Sequence, residues 1–205
     1  PISLDHTEIL GDTIEKIAFE KAGIMKRGIP CITSHQNKKV DIVLHKHATY
    51  MNSTLIQANQ NILKDIKPSL LGKYQFENAC LAATALQYLK GFSVSDQNIK
   101  TGIEQTCWFG RNEIIQKTPT IIFDVGHNES GILAFLDYFN SLDNIGTSVL
   151  ILSLQRRKNI LRIVPQILSA FDVIICCETN NIRTMTIDEI SLQIGKSKKI
   201  KYIQS

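Results

Sequence analysis

A chain of 205 residues has room for one full domain or two small ones at ordinary domain sizes. Hydrophobic residues at 43%, charged residues at 20%, and only 11 Gly and 5 Pro exclude a disordered, collagen-like or low-complexity chain. The formal charge of +4 is spread over both halves without a basic arm, which suits small anionic ligands and is weak support for a nucleic-acid binder.

The first predicted element is a helix from Thr13 to Ala22, with Ile14, Ile17 and Ala18 on one face, Asp12 available as a cap and Gly23 as a stop. A short buried strand follows at Pro30 to Thr33, then a helix at Lys39 to Met51 carrying Val40, Val43, Leu44 and Ala48, and a strand at Ser53 to Gln57. After an irregular stretch, Asn78 to Leu89 and Ser95 to Thr106 read as helices, the second started by Ser95 or Asp96. Residues 107–118 show no clear periodicity.

A cleaner alternation then begins: strand Thr120 to Phe123, helix Gly131 to Asn140, strand Ser148 to Leu152, helix Asn159 to Ala170, strand Val173 to Cys176, helix Thr186 to Ile194, strand Ile200 to Ile203. Continuous β-branched strands between amphipathic helices predict a parallel sheet covered on both faces, and the α/β class for both parts of the chain. The domain boundary falls in 107–118.

Five cysteines, an odd number without C-x-x-C spacing, read as reduced core residues of a cytoplasmic protein. No apolar run approaches the roughly 18 residues that span a bilayer, so no membrane association is expected. The chain starts at Pro1 without Met and ends just after a predicted strand; both ends read as cuts.

The residues suited to chemistry cluster in a few strings. Asp5 and His6 follow a predicted strand end, the place where ligands of open α/β sheets gather. A neutral His there can hold a divalent metal, and a turn-capping Asp beside a surface His explains the same pair. Asn78 offers an amide that can both donate and accept, and it stands where it could cap the helix that follows. Arg111 offers a planar fork for phosphate, or is a surface charge. In Asp124-Val125-Gly126-His127-Asn128, a strand-end acid can accept from ribose hydroxyls and a His at a helix start can reach phosphates; a capped turn accounts for them equally well.

Taken together, Leu4-Asp5-His6 with Leu10-Gly11, Thr13, Ile17-Ala18 and Glu20-Lys21-Ala22-Gly23-Ile24 resemble the central-domain signature of the folylpolyglutamate synthase and dihydrofolate synthase family, within the Mur ligase superfamily. Gly72 to Ala79 resembles the family's G-x-H-Q-x-x-N-A stretch, with Tyr74 in place of His. Trp108-Phe109-Gly110-Arg111 resembles its P-G-R linker, and Asp124 to Asn128 its D-G-A-H-N motif, with Glu129 where proline is usual. Lys158 matches a later K-D pair whose second member is Asn159 here, and Arg183 resembles a late arginine before a helix.

The resemblance implies a P-loop-type Mur ligase central domain, represented by its C-terminal portion in residues 1–107, a linker at 108–118, and a Rossmann-like C-terminal domain at 119–205. It implies an ATP-dependent ligase that joins L-glutamate to folate or dihydropteroate through an acyl phosphate, in the cytoplasm and as a monomer. His6 and Lys21, the latter as a carbamate, would be the catalytic Mg²⁺ ligands, since a carbamate supplies the hard oxygen that Mg²⁺ prefers. Asn78, Arg111, Asp124 and His127 would bind ATP. No role follows for Glu20.

The family's glycine-rich phosphate loop has no counterpart in the sequence, so the chain reads as a fragment that is inert by itself. Two other readings are a Mur-superfamily ligase with a different peptide acceptor and a non-catalytic remnant of the fold. The altered residues Tyr74, Glu129 and Asn159 support the remnant.

Overall fold

The structure, a computed structural model, describes residues 2–5, 7–143, 146–156 and 158–203, and of Glu8 the backbone alone. It divides into two compact units, Pro1–Trp108 and Phe109–Ser205.

The first unit begins with a single helical turn, α1 (Thr7–Leu10), and α2 (Ile14–Ala22). Thr13, not the expected Asp12, caps α2 by accepting the Lys16 N–H, because Asp12 is instead drawn to the Lys16 ammonium at 2.7 Å. Strand β1 (Cys31–Thr33), α3 (Lys38–Tyr50) and β2 (Leu55–Gln57) form a β-α-β crossover with the two strands paired in parallel. Ala18 and Ala22 of α2 pack on Val40, Leu44 and Ala48 of α3, small residues that let the two helices approach closely. After a 3₁₀ turn at Gln60–Leu63 come α4 (Lys73–Gln87) and α5 (Asp96–Gln105), which share a core of Leu63, Cys80, Ala83 and Ile99.

Helix α4 starts five residues before the expected Asn78, at a Gly72 whose φ of 101° only glycine adopts cheaply. Asn78 therefore lies in the second turn and is not the cap.

The second unit opens where the sequence shows no period. Residues 108–118, expected as a linker, contain β3 (Glu113–Lys117), which pairs antiparallel with β4 (Thr120–Phe123). A two-residue connection can join only antiparallel strands, so β4 makes a hairpin and does not extend the parallel alternation. Helix α6 (Glu129–Asn140) leads to β5 (Val149–Leu152), α7 (Val164–Ala170), β6 (Val173–Cys177), α8 (Ile187–Ile194) and β7 (Ile200–Ile203). These three strands are parallel in the order β5-β6-β7.

Coverage of this sheet departs from expectation. Leu150, Leu152, Ile174, Cys176, Ile200 and Tyr202 face a single core shared with α6, α7 and α8. On the other face of β5, Val149 is 50% and Ile151 70% exposed. Two successive crossovers of the same hand, stepping in the same direction along the sheet, place their helices on the same side.

Four of the five cysteines are buried or half-buried and all are unpaired, but Cys107 is exposed. Burial pushes the Cys176 thiol up to about 11, which makes it a packing group and a poor nucleophile. Among the described residues no helix is long and apolar enough to cross a membrane.

The starts of β5 and β6 are tied by Asp172, whose carboxylate accepts the Ser148 N–H and hydroxyl, both at 2.8 Å. The Ser148 backbone N–H and then its hydroxyl hold the Asp172 carboxyl below the usual carboxylate range. A lowered folded-state value means that this contribution is present above the ordinary pKa of about 4 and is lost as pH falls through the lowered value. Asp172→Asn is thus expected to flatten the acid limb of a stability-versus-pH curve, measured by urea midpoints between pH 3 and 6. An unchanged acid limb would show that the tie contributes nothing.

Candidate functional site

In the second unit the chain brings three of the expected ligand residues onto one loop cluster. Arg111 stands on a turn, residues 110–113, and its side chain is exposed. Asp124 directly follows β4, and both its oxygens accept backbone N–H groups: Asn112 on Oδ2 at 2.9 Å and Gly126 on Oδ1 at 2.7 Å. Each oxygen retains a second lone pair for a ligand. His127 Nδ1 lies 3.0 Å from the Val125 carbonyl oxygen. A carbonyl only accepts, so Nδ1 carries the proton and Nε2 is left for a partner.

Asn128 caps α6, accepting the Gly131 N–H at 2.8 Å. Glu129, in the first turn, brings a carboxylate to the same positive helix end.

The residues of the first unit are arranged differently. Lys21 is exposed in the last turn of α2, one helical turn beyond the buried Ile17 and Ala18. His6 lies outside the described residues. Asn78 is exposed on α4, its Nδ2 donating to the buried Gln75 Oε1 at 3.0 Å, which fixes the orientation of the amide. No hydrogen bond or ion pair joins Lys21 to Asn78. Glu20 lines an open groove of about 750 Å³ between α2 and α3 with Phe19, Val43, His47 and Tyr50.

A second concavity, about 390 Å³, lies beyond the carboxyl ends of β5 and β6, lined by Gln155, Arg156, Ile182 and Arg183. The loops after the two strands are pinned together by Arg156 N–H donating to the Arg183 carbonyl at 2.7 Å and by a bridge between Gln155 and Thr184. Glu189 pairs with Arg156 at 3.3 Å and partly offsets its charge, whereas Arg183 is exposed. Sequence reasoning singled out Arg183 but not Arg156. The usable signal was the basic run Arg156-Arg157-Lys158, which begins four residues past the predicted strand end at Leu152.

Among the described residues no group of three or more His, Cys, Asp and Glu side chains is arranged to hold a metal ion. An ammonium is no ligand either, so Lys21 fits a Mg²⁺ site only after its exposed amine has taken up CO₂.

Residues 110–205 match the family model described as Mur ligase, glutamate ligase domain. The chain is 33% identical over 156 residues to the dihydrofolate synthase/folylpolyglutamate synthase of Bacillus subtilis, covering 64% of this chain and 36% of that protein. It is 31% identical over 156 residues to the folylpolyglutamate synthase of Lacticaseibacillus casei, covering 64% and 36%. In fold it is similar to Mycobacterium tuberculosis folylpolyglutamate synthase complexed with ADP, with a TM-score of 0.89 at 23% identity over 100% of this chain and 52% of the other. Escherichia coli FolC in complex with DHPP and ADP gives a TM-score of 0.86 at 24% identity, covering 100% and 51%. The chain thus spans about half the length of the solved structures it resembles.

Proposed function

Because the chain belongs to the folylpolyglutamate and dihydrofolate synthase family of Mur ligases, we propose that it forms part of an ATP-dependent ligase adding L-glutamate to a folate or dihydropteroate acid. The observation that carries this reading is the gathering of Arg111, Asp124 and His127 on one loop cluster at the start of α6, in the unit matched by the family model.

The chemistry has two displacements. A carboxylate oxygen of the pterin acid attacks the γ-phosphorus of ATP and ADP departs. The glutamate amine then attacks the acyl carbon, the amide forms, and phosphate leaves as the nitrogen gives up a proton. Negative charge accumulates in both steps, and fixed cations and N–H groups offset it.

Arg111 offers its fork to the phosphates, and His127 offers Nε2 to them once protonated. Asp124 accepts from the ribose, and we assign the Asn78 amide, held by Gln75, to the adenine edge. Glutamate brings two carboxylates, and the Arg156–Arg183 concavity is the cationic surface we assign to it. Mg²⁺, when bound, supplies further charge neutralisation at the phosphates; His6 and Lys21 as a carbamate are the residues assigned to hold it.

A protein comprising this chain and an upstream glycine-rich phosphate loop is expected to release ADP only when ATP, Mg²⁺, glutamate and the pterin acid are all present. Residues 1–205 alone are expected to release none, because backbone N–H groups of such a loop must cradle the phosphates. Turnover by the isolated chain would overturn the requirement for the loop. ATP binding without turnover in the longer protein would instead identify a non-catalytic member, the reading that Glu129 at the α6 terminus favours.

A further inference from the structure

Arg111 sits on a turn that is fastened at several points although its own side chain projects into solvent. The Gly110 N–H donates to Glu113 Oε2 at 2.8 Å, and the Gly110 carbonyl accepts the Val125 N–H at 3.0 Å. The Asn112 N–H donates to Asp124 Oδ2, while the other oxygen of that carboxylate takes the Gly126 N–H. One side chain therefore joins the turn carrying Arg111 to the loop that carries His127 and enters α6.

The fit leaves little slack. A Cβ on Gly110 would meet Val125 Cγ1 at 2.6 Å, and one on Gly126 would meet Asp124 Oδ1 at 2.8 Å and the Gly131 backbone at 3.1 Å. Gly110 at φ 69° and Asn112 at φ 48° both hold left-handed backbone, a shape that a free surface turn has little reason to keep. Two hydrogen bonds to an ionised carboxylate are among the stronger restraints available to such a turn.

We propose that Asp124 is a positioning residue for Arg111: by holding the Asn112 and Gly126 N–H groups together it fixes the direction in which the arginine leaves its turn, toward the phosphates of the bound nucleotide. This role is additional to any ribose contact and rests on the nucleotide-site reading above. The physical gain is pre-organisation, since a long side chain on an unfastened turn must lose both backbone and rotamer freedom on binding.

The test is a double-mutant cycle in the full-length ligase. Dissociation constants for ATP and for 2′,3′-dideoxy-ATP are measured for the wild type, Asp124→Asn, Arg111→Ala and the pair, with KM and kcat for ATP alongside. The asparagine turns one acceptor into an NH₂ group facing a backbone N–H. Asp124→Asn is expected to weaken dideoxy-ATP about tenfold when Arg111 is present and less than about twofold when it is absent, raising KM more than it lowers kcat.

An Asp124→Asn effect that vanishes with the dideoxy nucleotide leaves only a ribose contact and overturns the proposal. So does an equal effect in both backgrounds. Glu113→Ala loosens the other end of the turn without touching Asp124, and must show the same dependence on Arg111 even if Asp124→Asn fails to fold. Should Arg111→Ala leave ATP affinity unchanged, the assignment of Arg111 to the nucleotide site fails, and the positioning role with it; an effect of Arg111→Ala without coupling to Asp124 or Glu113 refutes the positioning role alone.

Discussion

Replacing Lys21 by alanine in the proposed ligase, this chain with its phosphate loop, is expected to lower Mg²⁺-dependent ADP release by about 100-fold or more while leaving the fold in place. The separation of the two effects comes from geometry. Lys21 is exposed, and the buried contacts of α2 with α3 are made by Ala18 and Ala22, which the substitution leaves in place. Alanine is the best helix former, and the loss of one cation near an exposed helix C-terminus costs about 0.3–1 kcal/mol. Steady-state turnover across a Mg²⁺ titration, beside a thermal melt, reads both quantities. His6→Ala should act in the same direction. Partial recovery of Lys21→Ala by an added short carboxylic acid would identify an oxygen donor as the missing part. Normal activity in both variants would remove the metal assignment.

Ile174→Ala is expected to have the largest effect on stability. Ile174 is fully buried in the middle strand of the three-stranded sheet, with Leu150 on one side and Ile200 on the other. Truncation removes apolar contact and leaves a cavity between two neighbouring strands, a loss of roughly 2–5 kcal/mol for a buried Ile. Against the usual total of about 5–15 kcal/mol, that is a large fraction of the unit's stability, and a drop of at least about 10 °C in Tm should follow. Ile151→Ala, one strand over but 70% exposed, should cost less than about 1 kcal/mol. Equal losses at the two positions would contradict the one-sided burial of the sheet.

The helices were legible because their information is local. Ile14, Ile17 and Ala18, or Val40, Leu44 and Ala48, mark a face at helical spacing, and the caps Ser95 and Thr186 stand where their helices begin. The early start of α4 was not legible, since Lys73 to Glu77 carry little apolar pattern and the signal lay in the conformation of Gly72. Strand β3 was missed for a related reason. Four of its five residues, Ile114 to Lys117, are exposed, and the register shift between Ile114 and Gln116 breaks the two-residue period on which a strand is recognised.

The candidate site divides along the same line. Resemblance to family motifs singled out Arg111, Asp124 and His127, but it could not reveal that Asp124 already accepts two backbone N–H groups or that His127 is held with Nδ1 inward. Arg156 emerged only once β5 and β6 stood side by side and brought the loop after one strand against the loop after the other.

The sequence by itself determined the alternation of strand and helix, the α/β class and the residue types available for chemistry, because hydrophobic period, capping and motif order are properties of neighbouring residues. Only the tertiary structure decided which strands pair, that helices α7 and α8 lie on the same face of the sheet, and that the Arg111 turn is fastened to the α6 loop. Those outcomes depend on crossover handedness and on hydrogen bonds between residues a dozen or more positions apart, which no local pattern encodes.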